Sequence, residues 1–230
     1  MSILRLKTIV EETCETKSFL FELGSNSITF APGQFVNVTA NIQNSRVRRA
    51  YSVASSPLDP DFQLTVKRIE GGKLSTFLCD KAAVGDLFDI RGPYGLFTLE
   101  PNAFQVVLIA AGSGIVPFRS MWRYIAQRPL DRQVTLLYAS KSLQYIIYRE
   151  ELTALARPRF NVVHTLTRND DPAWTGYSRR IDSEMLLEVI GKFEDKYFYV
   201  CGPPAMCNCV VLYLQDFGVE RTRIRTEEYD

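Results

Sequence analysis

The sequence predicts a two-domain chain, in which an antiparallel β half is followed by an α/β half built on a parallel sheet. Residues 1–100 contain short segments of alternating apolar and polar residues separated by turn signals, a pattern typical of a closed barrel or a sandwich. From about residue 103, compact apolar strands alternate with helix-length segments, which is typical of a parallel sheet covered by helices on both faces. Pro101-Asn102 interrupts the pattern, so we expect one domain over residues 1–100 and another over residues 101–230.

The strands of the first half are predicted from period-two alternation at residues 4–9, 35–38 and 62–66, and a further strand is predicted to end at residues 48–52. Turns rich in glycine and proline lie between them, at residues 32–33, 59–61, 71–72, 85–86 and 92–93. Gly71-Gly72 is predicted to open a short apolar helix that ends near Cys79.

The elements of the second half are predicted from apolar runs and helical spacing. Strands are expected at residues 106–111, 134–139, 161–166 and 196–201, with a last edge strand at 223–226. Helices are expected at residues 117–127, 147–156, 182–190 and 205–217, with Asp182 as an N-cap.

Composition excludes several classes of protein. The net charge of +1 gives no global field toward nucleic acid or anionic lipid, the apolar runs are too short to span a bilayer, and residues 1–10 lack the apolar core of a signal peptide. A cytoplasmic protein is therefore expected. Five scattered cysteines and one histidine predict no disulfide framework, no zinc site and no iron–sulfur cluster, hence no metal.

Two glycine-containing turns in the second half indicate a dinucleotide site. Gly112-Ser113-Gly114 follows the first predicted strand and leads to Pro117, so backbone N–H groups can approach a pyrophosphate at a helix N-terminus. Cys201-Gly202-Pro203-Pro204 follows another strand, and the carboxyl ends of parallel strands meet at one edge of the sheet. The alternatives are an ordinary strand–helix turn, and a buried Cys201 followed by a proline helix start.

The first half offers a second set of ligand-binding groups. Alternation places Arg49 and Tyr51 on one face of a strand, which sets a phosphate-binding fork beside a flat aromatic ring. The N-terminus of the helix that follows Gly72 suits a second phosphate. The alternatives are a solvated arginine and a plain hairpin turn.

These motifs together resemble the ferredoxin–NADP(H) reductase superfamily, in the compact form without a fused iron–sulfur domain. Residues 49–52 look like the flavin motif R-x-Y-S, 72–75 resemble G-x-x-S, 92–97 resemble G-P-x-G-x-F, 112–117 resemble G-T-G-I-A-P, and 201–204 match C-G-P-P. The ending Glu227-Glu228-Tyr229 resembles the family's acidic-aromatic tail, although Asp230 follows where plant-type members end on the aromatic residue. The match covers nearly the whole chain, with its motifs in the family order.

The resemblance implies an antiparallel Greek-key β-barrel that binds flavin, followed by a Rossmann-like α/β domain that binds NAD(P). It implies that Arg49 holds a flavin phosphate, Tyr51 stacks on the isoalloxazine and Ser52 hydrogen-bonds near N5. Val66, Lys67 and Arg68 would follow the ribityl chain and phosphates, and Gly72, Lys73, Leu74 and Ser75 would hold the pyrophosphate. Cys201 and Glu227 would lie beside the nicotinamide, and Tyr229 would cover the far flavin face and move aside for hydride transfer.

The choice of cofactor and donor depends on a few polar side chains. FAD is preferred over FMN, because the turn at residues 72–75 suggests a site for a second phosphate. No acidic residue follows the strand at 134–139, where one would select NAD; Ser140 and Lys141 stand there, Arg168 follows the next strand, and Arg179-Arg180 come later. NADPH is therefore preferred over NADH, with solvated surface cations as the alternative.

The sequence thus predicts a flavoprotein that takes hydride from NADPH or NADH and passes electrons to a separate acceptor: a ferredoxin, a flavodoxin, an oxygenase component or a small molecule. A basic patch of Arg46, Arg48 and Lys67 is a candidate surface for an acidic ferredoxin. Two alternatives are a free flavin reductase and an electron-transfer subunit of a larger complex, although such subunits usually carry a cysteine cluster that is missing here. Tyr51, Ser52, Cys201 and Tyr229 argue against a third, a non-enzymatic nucleotide sensor.

Overall fold

The structure is a computed structural model that describes residues 2–24, 28–128, 131–156 and 158–229. Asp230, at which the sequence departs from the plant-type ending, lies outside the described residues. The chain forms two compact units, one of Met1–Leu99 with Val116–Arg128, the other of Glu100–Ile115 with Pro129–Asp230. In the part of the chain described, no helix has the length and apolar character needed to cross a membrane.

The first unit is built on an antiparallel sheet of six strands with the order β4-β3-β6-β1-β2-β5. An antiparallel bridge between Val53 and Leu64 joins the two ends of this order, so the sheet closes on itself and the barrel rather than the sandwich is confirmed. The elements are β1 (Ser2–Thr13), β2 (Thr16–Glu22), β3 (Phe35–Ile42), β4 (Ser45–Ser52), β5 (Phe62–Lys67), α1 (Lys73–Asp80) and β6 (Leu87–Tyr94).

Alternation decides which side chains of these strands enter the core. In β1, Leu4 and Leu6 are fully buried whereas Ile3 is 57% exposed, as a period of two requires. Three of the buried aromatic side chains form one cluster, in which Phe21 lies 6.4 Å from Phe62 and 5.8 Å from Phe88 between ring centroids. Strands β2 and β6 lie outside the three alternating segments of the sequence. Their apolar and polar residues alternate less regularly, so the sequence pattern did not predict them.

The second unit contains a parallel sheet of five strands with the order β11-β10-β7-β8-β9. The predicted parallel α/β architecture is confirmed, including the edge strand at the end of the chain. Its elements are β7 (Gln105–Ala111), β8 (Gln133–Ser140), α3 (Arg149–Leu155), β9 (Phe160–Leu166), α4 (Ser183–Ile190), β10 (Lys196–Gly202), α5 (Pro204–Asp216) and β11 (Ile224–Glu228). A 3-10 turn, Gly112–Ile115, follows β7.

Two helices differ from the expectation. Helix α3 begins two residues later than predicted, because Tyr148 adopts a left-handed conformation (φ 60°) immediately before it. Helix α2 (Val116–Ala126) follows the first parallel strand in the chain, yet its contacts place it in the first unit. Asp182 caps α4 as predicted, since its carboxylate accepts a hydrogen bond from the Met185 N–H at 2.8 Å.

Candidate functional site

The end of β4 presents a cation and an aromatic ring on one face. Tyr51 pairs with Val36 and Arg49 with Val38 across the β3–β4 ladder, so the two side chains share a face, as the alternation predicts. Tyr51 is half-buried against the barrel core, and this burial raises its pKa, which keeps the phenol neutral. The exposed Arg49 guanidinium donates to the Arg48 carbonyl oxygen at 2.8 Å and has no carboxylate partner among the described residues.

Helix α1 follows a tight turn and packs against both β4 and β5. The Gly72 N–H donates to the Ile69 carbonyl oxygen at 2.9 Å, and a Cβ at Gly72 would lie 2.4 Å from Ser75 Oγ. Gly72 is the N-cap and offers no side-chain acceptor, so the amides of the first turn keep their hydrogen-bonding capacity for a ligand. Ser75 itself is buried, and its hydroxyl donates to the Gly72 carbonyl oxygen at 3.4 Å.

The residues after β5 are already engaged in ion pairs. Lys67 Nζ lies 3.5 Å from a Glu15 carboxylate oxygen, and Arg68 Nε lies 3.0 Å from an Asp80 carboxylate oxygen. Val66 is buried in the core, whereas Lys73 at the start of α1 is exposed. Arg49 and Lys73 are therefore the cations of this site that have no carboxylate partner among the described residues.

In the second unit, the two glycine turns meet at one edge of the sheet, as the sequence predicts. A Cβ at Gly114 would lie 2.2 Å from the carbonyl oxygen of Cys201 and 2.8 Å from the Gly202 nitrogen. Only hydrogen fits there, so the 3-10 turn lies directly on the end of β10. Gly202 adopts a φ of 155°, and Pro203 and Pro204 begin α5 behind it.

The last strand brings the predicted nicotinamide-pocket residues together. Cys201 pairs with Glu227 in the β10–β11 ladder, and the Tyr229 N–H donates to the Gly202 carbonyl oxygen at 3.0 Å. Burial and the neighbouring Glu227 carboxylate raise the pKa of Cys201 well above its usual value, although a hydrogen bond with the Tyr229 side chain opposes the shift. Cys201 is consequently a neutral thiol at physiological pH.

Tyr138 belongs to this site although the sequence does not single it out. Its hydroxyl donates to the Gly112 carbonyl oxygen at 3.0 Å and accepts from the Ile147 N–H at 3.4 Å, so it holds the first residue of the glycine turn. A buried tyrosine near the end of an apolar strand needs a hydrogen-bond partner for its hydroxyl. That requirement is the sequence feature that could have identified Tyr138 as a site residue.

The cations expected near the donor's 2′-phosphate fall into two groups. The Arg168 N–H donates to the Lys141 carbonyl oxygen at 2.7 Å, so these two residues follow neighbouring strands side by side. Ser140 is buried next to them, and its hydroxyl has no hydrogen-bond partner among the described residues. Arg179, in contrast, lies 2.9 Å from an Asp182 carboxylate oxygen and 3.5 Å from one of Glu188, so its charge is compensated.

Comparison with known proteins agrees with this geometry. Residues 3–99 match the oxidoreductase FAD-binding domain family, and residues 108–211 match the oxidoreductase NAD-binding domain family. A ferredoxin–NADP reductase B from Sorangium cellulosum is 34% identical over 229 residues, covering 95% of this chain and 89% of that protein. The chain belongs to the ferredoxin–NADP(H) reductase superfamily.

Two further proteins are similar to this chain, one in sequence and one in fold. A glycine betaine monooxygenase reductase subunit from Pseudomonas aeruginosa is 29% identical over 233 residues, which cover 99% of this chain and 64% of that subunit. The chain thus spans less than two thirds of that relative's length. A ferredoxin–NADP⁺ reductase from Neisseria gonorrhoeae, solved with bound FAD and NADP, has the same fold with a TM-score of 0.85 and 24% identity, covering 99% of this chain and 98% of that one.

The residues present fit the two nucleotides of this superfamily. In the first unit, an arginine without a carboxylate partner and an uncapped helix N-terminus suit phosphates. In the second unit, the close approach at Gly114 leaves the turn's backbone free of side chains where a pyrophosphate would bind. The predicted family, the fold and the FAD- and NAD-binding domains are therefore confirmed.

Proposed function

We propose that this chain is an NAD(P)H-dependent flavoprotein reductase that takes hydride onto bound FAD and passes electrons to a separate acceptor. The carrying observation is the arrangement at the end of β10, where the Cys201 thiol meets Glu227 and Tyr229 beside the glycine turn. Residues 1–100 would form the flavin-binding domain and residues 101–230 the nicotinamide-binding domain.

In the flavin-binding unit, the proposed roles of Arg49 and Tyr51 rest on the charge and protonation of their side chains. Arg49 would pair with a flavin phosphate because its charge is uncompensated, and Tyr51 would present a neutral ring for stacking. Ser52 would contact the flavin near N5. The amides that follow Gly72, at Lys73, Leu74 and Ser75, would bind the pyrophosphate, and Val66 and Lys67 would line its path.

In the nicotinamide-binding unit, most of the proposed contacts to the donor come from backbone groups. Gly112, Ser113 and Gly114 would bind the donor's pyrophosphate, with Pro117 starting the helix behind them and Gly202-Pro203 closing the opposite side. Cys201 would contact the nicotinamide ring through its small neutral thiol. Glu227 would orient the amide group of the nicotinamide. Tyr229 would cover the ring position and move aside when the donor binds.

When bound, FAD supplies a two-electron acceptor that can release electrons singly. The chain's own residues would therefore position the two nucleotides and shield them from water. Hydride transfer itself needs no catalytic base. Because hydride transfer requires near-attack approach at roughly 3–3.5 Å, the residues that hold each nucleotide in place would contribute to the rate.

The proposed donor is NADPH. Lys141 and Arg168 lie side by side after neighbouring strands, and Ser140 stands where an acidic residue would select NADH. Arg168→Ala and Lys141→Ala are expected to raise KM for NADPH by about tenfold or more, in line with charge-assisted bonds worth about 1.5–3 kcal/mol, and to leave KM for NADH unchanged. Lys192→Ala, which removes an exposed lysine elsewhere, is the control; equal effects on both donors would contradict the preference.

The proposed acceptor is a redox protein: a ferredoxin, a flavodoxin or an oxygenase component. Of the predicted basic patch, Arg46 pairs with Asp89 at 2.8 Å and Lys67 with Glu15 at 3.5 Å, so only Arg48 brings a charge without a carboxylate partner among the described residues. Arg48→Glu is expected to slow transfer to an acidic ferredoxin while ferricyanide reduction persists. If ferredoxin reduction by Arg48→Glu matches that by Lys192→Glu, the patch is not the docking surface.

The first experiment is the visible spectrum of the purified protein, followed by anaerobic addition of NADPH or NADH. A bound yellow flavin that bleaches rapidly with one donor supports the proposal and identifies that donor. A protein that stays colourless after incubation with FAD contradicts tight flavin binding and favours a free flavin reductase, which uses flavin as a substrate. A cytoplasmic location is part of the same proposal, and cell fractionation tests it.

A further inference from the structure

Tyr138 is a fully buried tyrosine near the carboxyl end of β8, inside the parallel sheet of the second unit. It pairs with Ala110 in the β7–β8 ladder and with His164 in the β8–β9 ladder. Its side chain is 0% exposed, and its ring centroid lies 5.9 Å from that of His164. A ring enclosed by close-packed neighbours cannot turn aside, so the packing fixes the direction of the hydroxyl.

The Tyr138 hydroxyl joins two segments that are separate in the chain. It donates to the Gly112 carbonyl oxygen at 3.0 Å and accepts from the Ile147 N–H at 3.4 Å. Gly112 opens the 3-10 turn Gly112–Ile115, whereas Ile147 lies in the loop between β8 and α3. These two hydrogen bonds, called here the Tyr138 bridge, therefore tie the glycine turn to that loop.

The loop between β8 and α3 carries Lys141 on a frame that ends at Ile147. The Tyr145 N–H donates to the Ser142 carbonyl oxygen at 3.0 Å, and Lys141 Nζ lies 4.8 Å from the centroid of the Tyr145 ring. Ile147 is only 2% exposed, so the loop returns to the core there. The position of Ile147 consequently influences that of Tyr145, and with it the place of the Lys141 ammonium group.

Arg168, the second cation, follows the same frame. The Arg168 N–H donates to the Lys141 carbonyl oxygen at 2.7 Å. The N–H and the hydroxyl of Thr167 both donate to the Ser140 carbonyl oxygen, at 2.9 Å and 3.3 Å. Lys141 and Arg168 are therefore held together by backbone bonds that do not involve Tyr138.

The distance between this cation pair and the glycine turn matters for a ligand that carries two anionic groups. When one molecule engages two sites at once, the second contact is intramolecular, and its benefit depends on whether the sites are spaced to match the ligand. A dinucleotide with a 2′-phosphate offers a pyrophosphate to the turn and the 2′-phosphate to the cations. Its affinity is therefore sensitive to any residue that sets this spacing.

We propose that the Tyr138 bridge sets the distance between the pyrophosphate turn and the cations Lys141 and Arg168, and so determines how strongly the site prefers a 2′-phosphorylated dinucleotide. Tyr138 is a positioning residue, because it acts through Gly112 and Ile147 and touches neither phosphate. All of these residues belong to the second unit. The inference rests on the proposed preference for NADPH.

The test compares Tyr138→Phe with Tyr199→Phe in the full chain. Tyr199 is also fully buried in the parallel sheet, and its hydroxyl accepts from the Glu100 N–H at 2.7 Å, so its loss removes a comparable hydrogen bond without touching the Tyr138 bridge. Calorimetry measures the affinities for three ligands: ADP-ribose, 2′-phospho-ADP-ribose, and adenosine 2′-monophosphate, which carries the 2′-phosphate without a pyrophosphate.

Tyr138→Phe is expected to reduce the preference for 2′-phospho-ADP-ribose over ADP-ribose by about three- to tenfold, the range that a lost hydrogen bond produces. Affinity for adenosine 2′-monophosphate should change by less than about twofold, because Lys141 and Arg168 keep their backbone bonds. KM should rise more for NADPH than for NADH, and Tyr199→Phe should match the wild type throughout. An equal loss for adenosine 2′-monophosphate would overturn the inference, since Tyr138 would then support the cations rather than their spacing.

A measurement on the wild type covers the case in which Tyr138→Phe does not fold. The Ile147 amide is expected to exchange its hydrogen more slowly with 2′-phospho-ADP-ribose bound than with adenosine 2′-monophosphate bound, because only the first ligand engages both ends of the bridge; equal exchange would overturn the inference. If the wild type binds ADP-ribose and 2′-phospho-ADP-ribose equally, the NADPH proposal fails and the inference fails with it. A wild-type preference that Tyr138→Phe retains in full overturns the inference alone.

Discussion

Replacing Gly114 with alanine should break the contact between the two glycine turns. The added Cβ would lie 2.2 Å from the Cys201 carbonyl oxygen, 2.5 Å from its carbon and 2.8 Å from the Gly202 nitrogen. These atoms belong to the backbone at the end of β10, a strand flanked on both sides in the sheet, so they cannot rotate away as a side chain would. The 3-10 turn must lift off the strand instead.

The size of the effect follows from that overlap. Overpacking costs about 1–3 kcal/mol and occasionally more, and backbone-to-backbone overlap puts Gly114→Ala at about 3 kcal/mol or above. For a protein of this size, about 2–4 °C of melting temperature is lost per kcal/mol, so the loss should be about 6–12 °C. ADP-ribose affinity should fall by about tenfold or more, because the lifted turn no longer presents its amides in place.

Gly112→Ala is the matched control. Gly112 has a φ of 55°, and nothing lies within 4 Å of its added Cβ, so that variant incurs only the left-handed backbone cost of about 1–2 kcal/mol. Differential scanning calorimetry and ADP-ribose titration of both variants decide the matter. If Gly114→Ala is as stable as Gly112→Ala and binds ADP-ribose as the wild type does, the close approach of the two turns is wrong.

Three further predictions concern single groups. The pKa of Asp59 is lowered from 3.8, so its contribution to stability, measured as the difference in free energy of unfolding from Asp59→Asn, should be complete above about pH 5 and shrink as the pH falls through the lowered value; a difference that grows in acid would contradict this. Native protein at pH 7.5 should label rapidly at the two exposed cysteines, Cys14 and Cys209, and at all five only after denaturation, because the other three thiols are buried with raised pKa values. Tyr138→Phe should cost about 1 kcal/mol through the hydrogen bond lost to Gly112 and weaken ADP-ribose binding several-fold; unchanged affinity would show that the bond does not hold the turn.

The sequence predicted much of the fold because alternation and helical spacing are local properties. The strands of the second half appear close to their predicted positions, and the choice between barrel and sandwich is the part that local pattern left open. That choice depends on the pairing of Val53 with Leu64, which joins strands that no short-range signal assigns to each other. The start of α3 differs from the predicted position because Tyr148 takes a left-handed conformation. A tyrosine in the sequence does not predict that conformation.

The sequence by itself determined the two-part architecture and the two turns that suit phosphates, because glycine and proline constrain the backbone wherever they occur. Only the tertiary structure decided which charges are available at these turns: Arg49 keeps an uncompensated guanidinium, whereas Arg179 is paired with carboxylates. It also decided that α2 rests in the first unit through Asp59 and Arg123, residues 64 positions apart in the chain. Ion pairs depend on which surfaces meet, and that is settled by the packing of the whole chain rather than by the order of its residues.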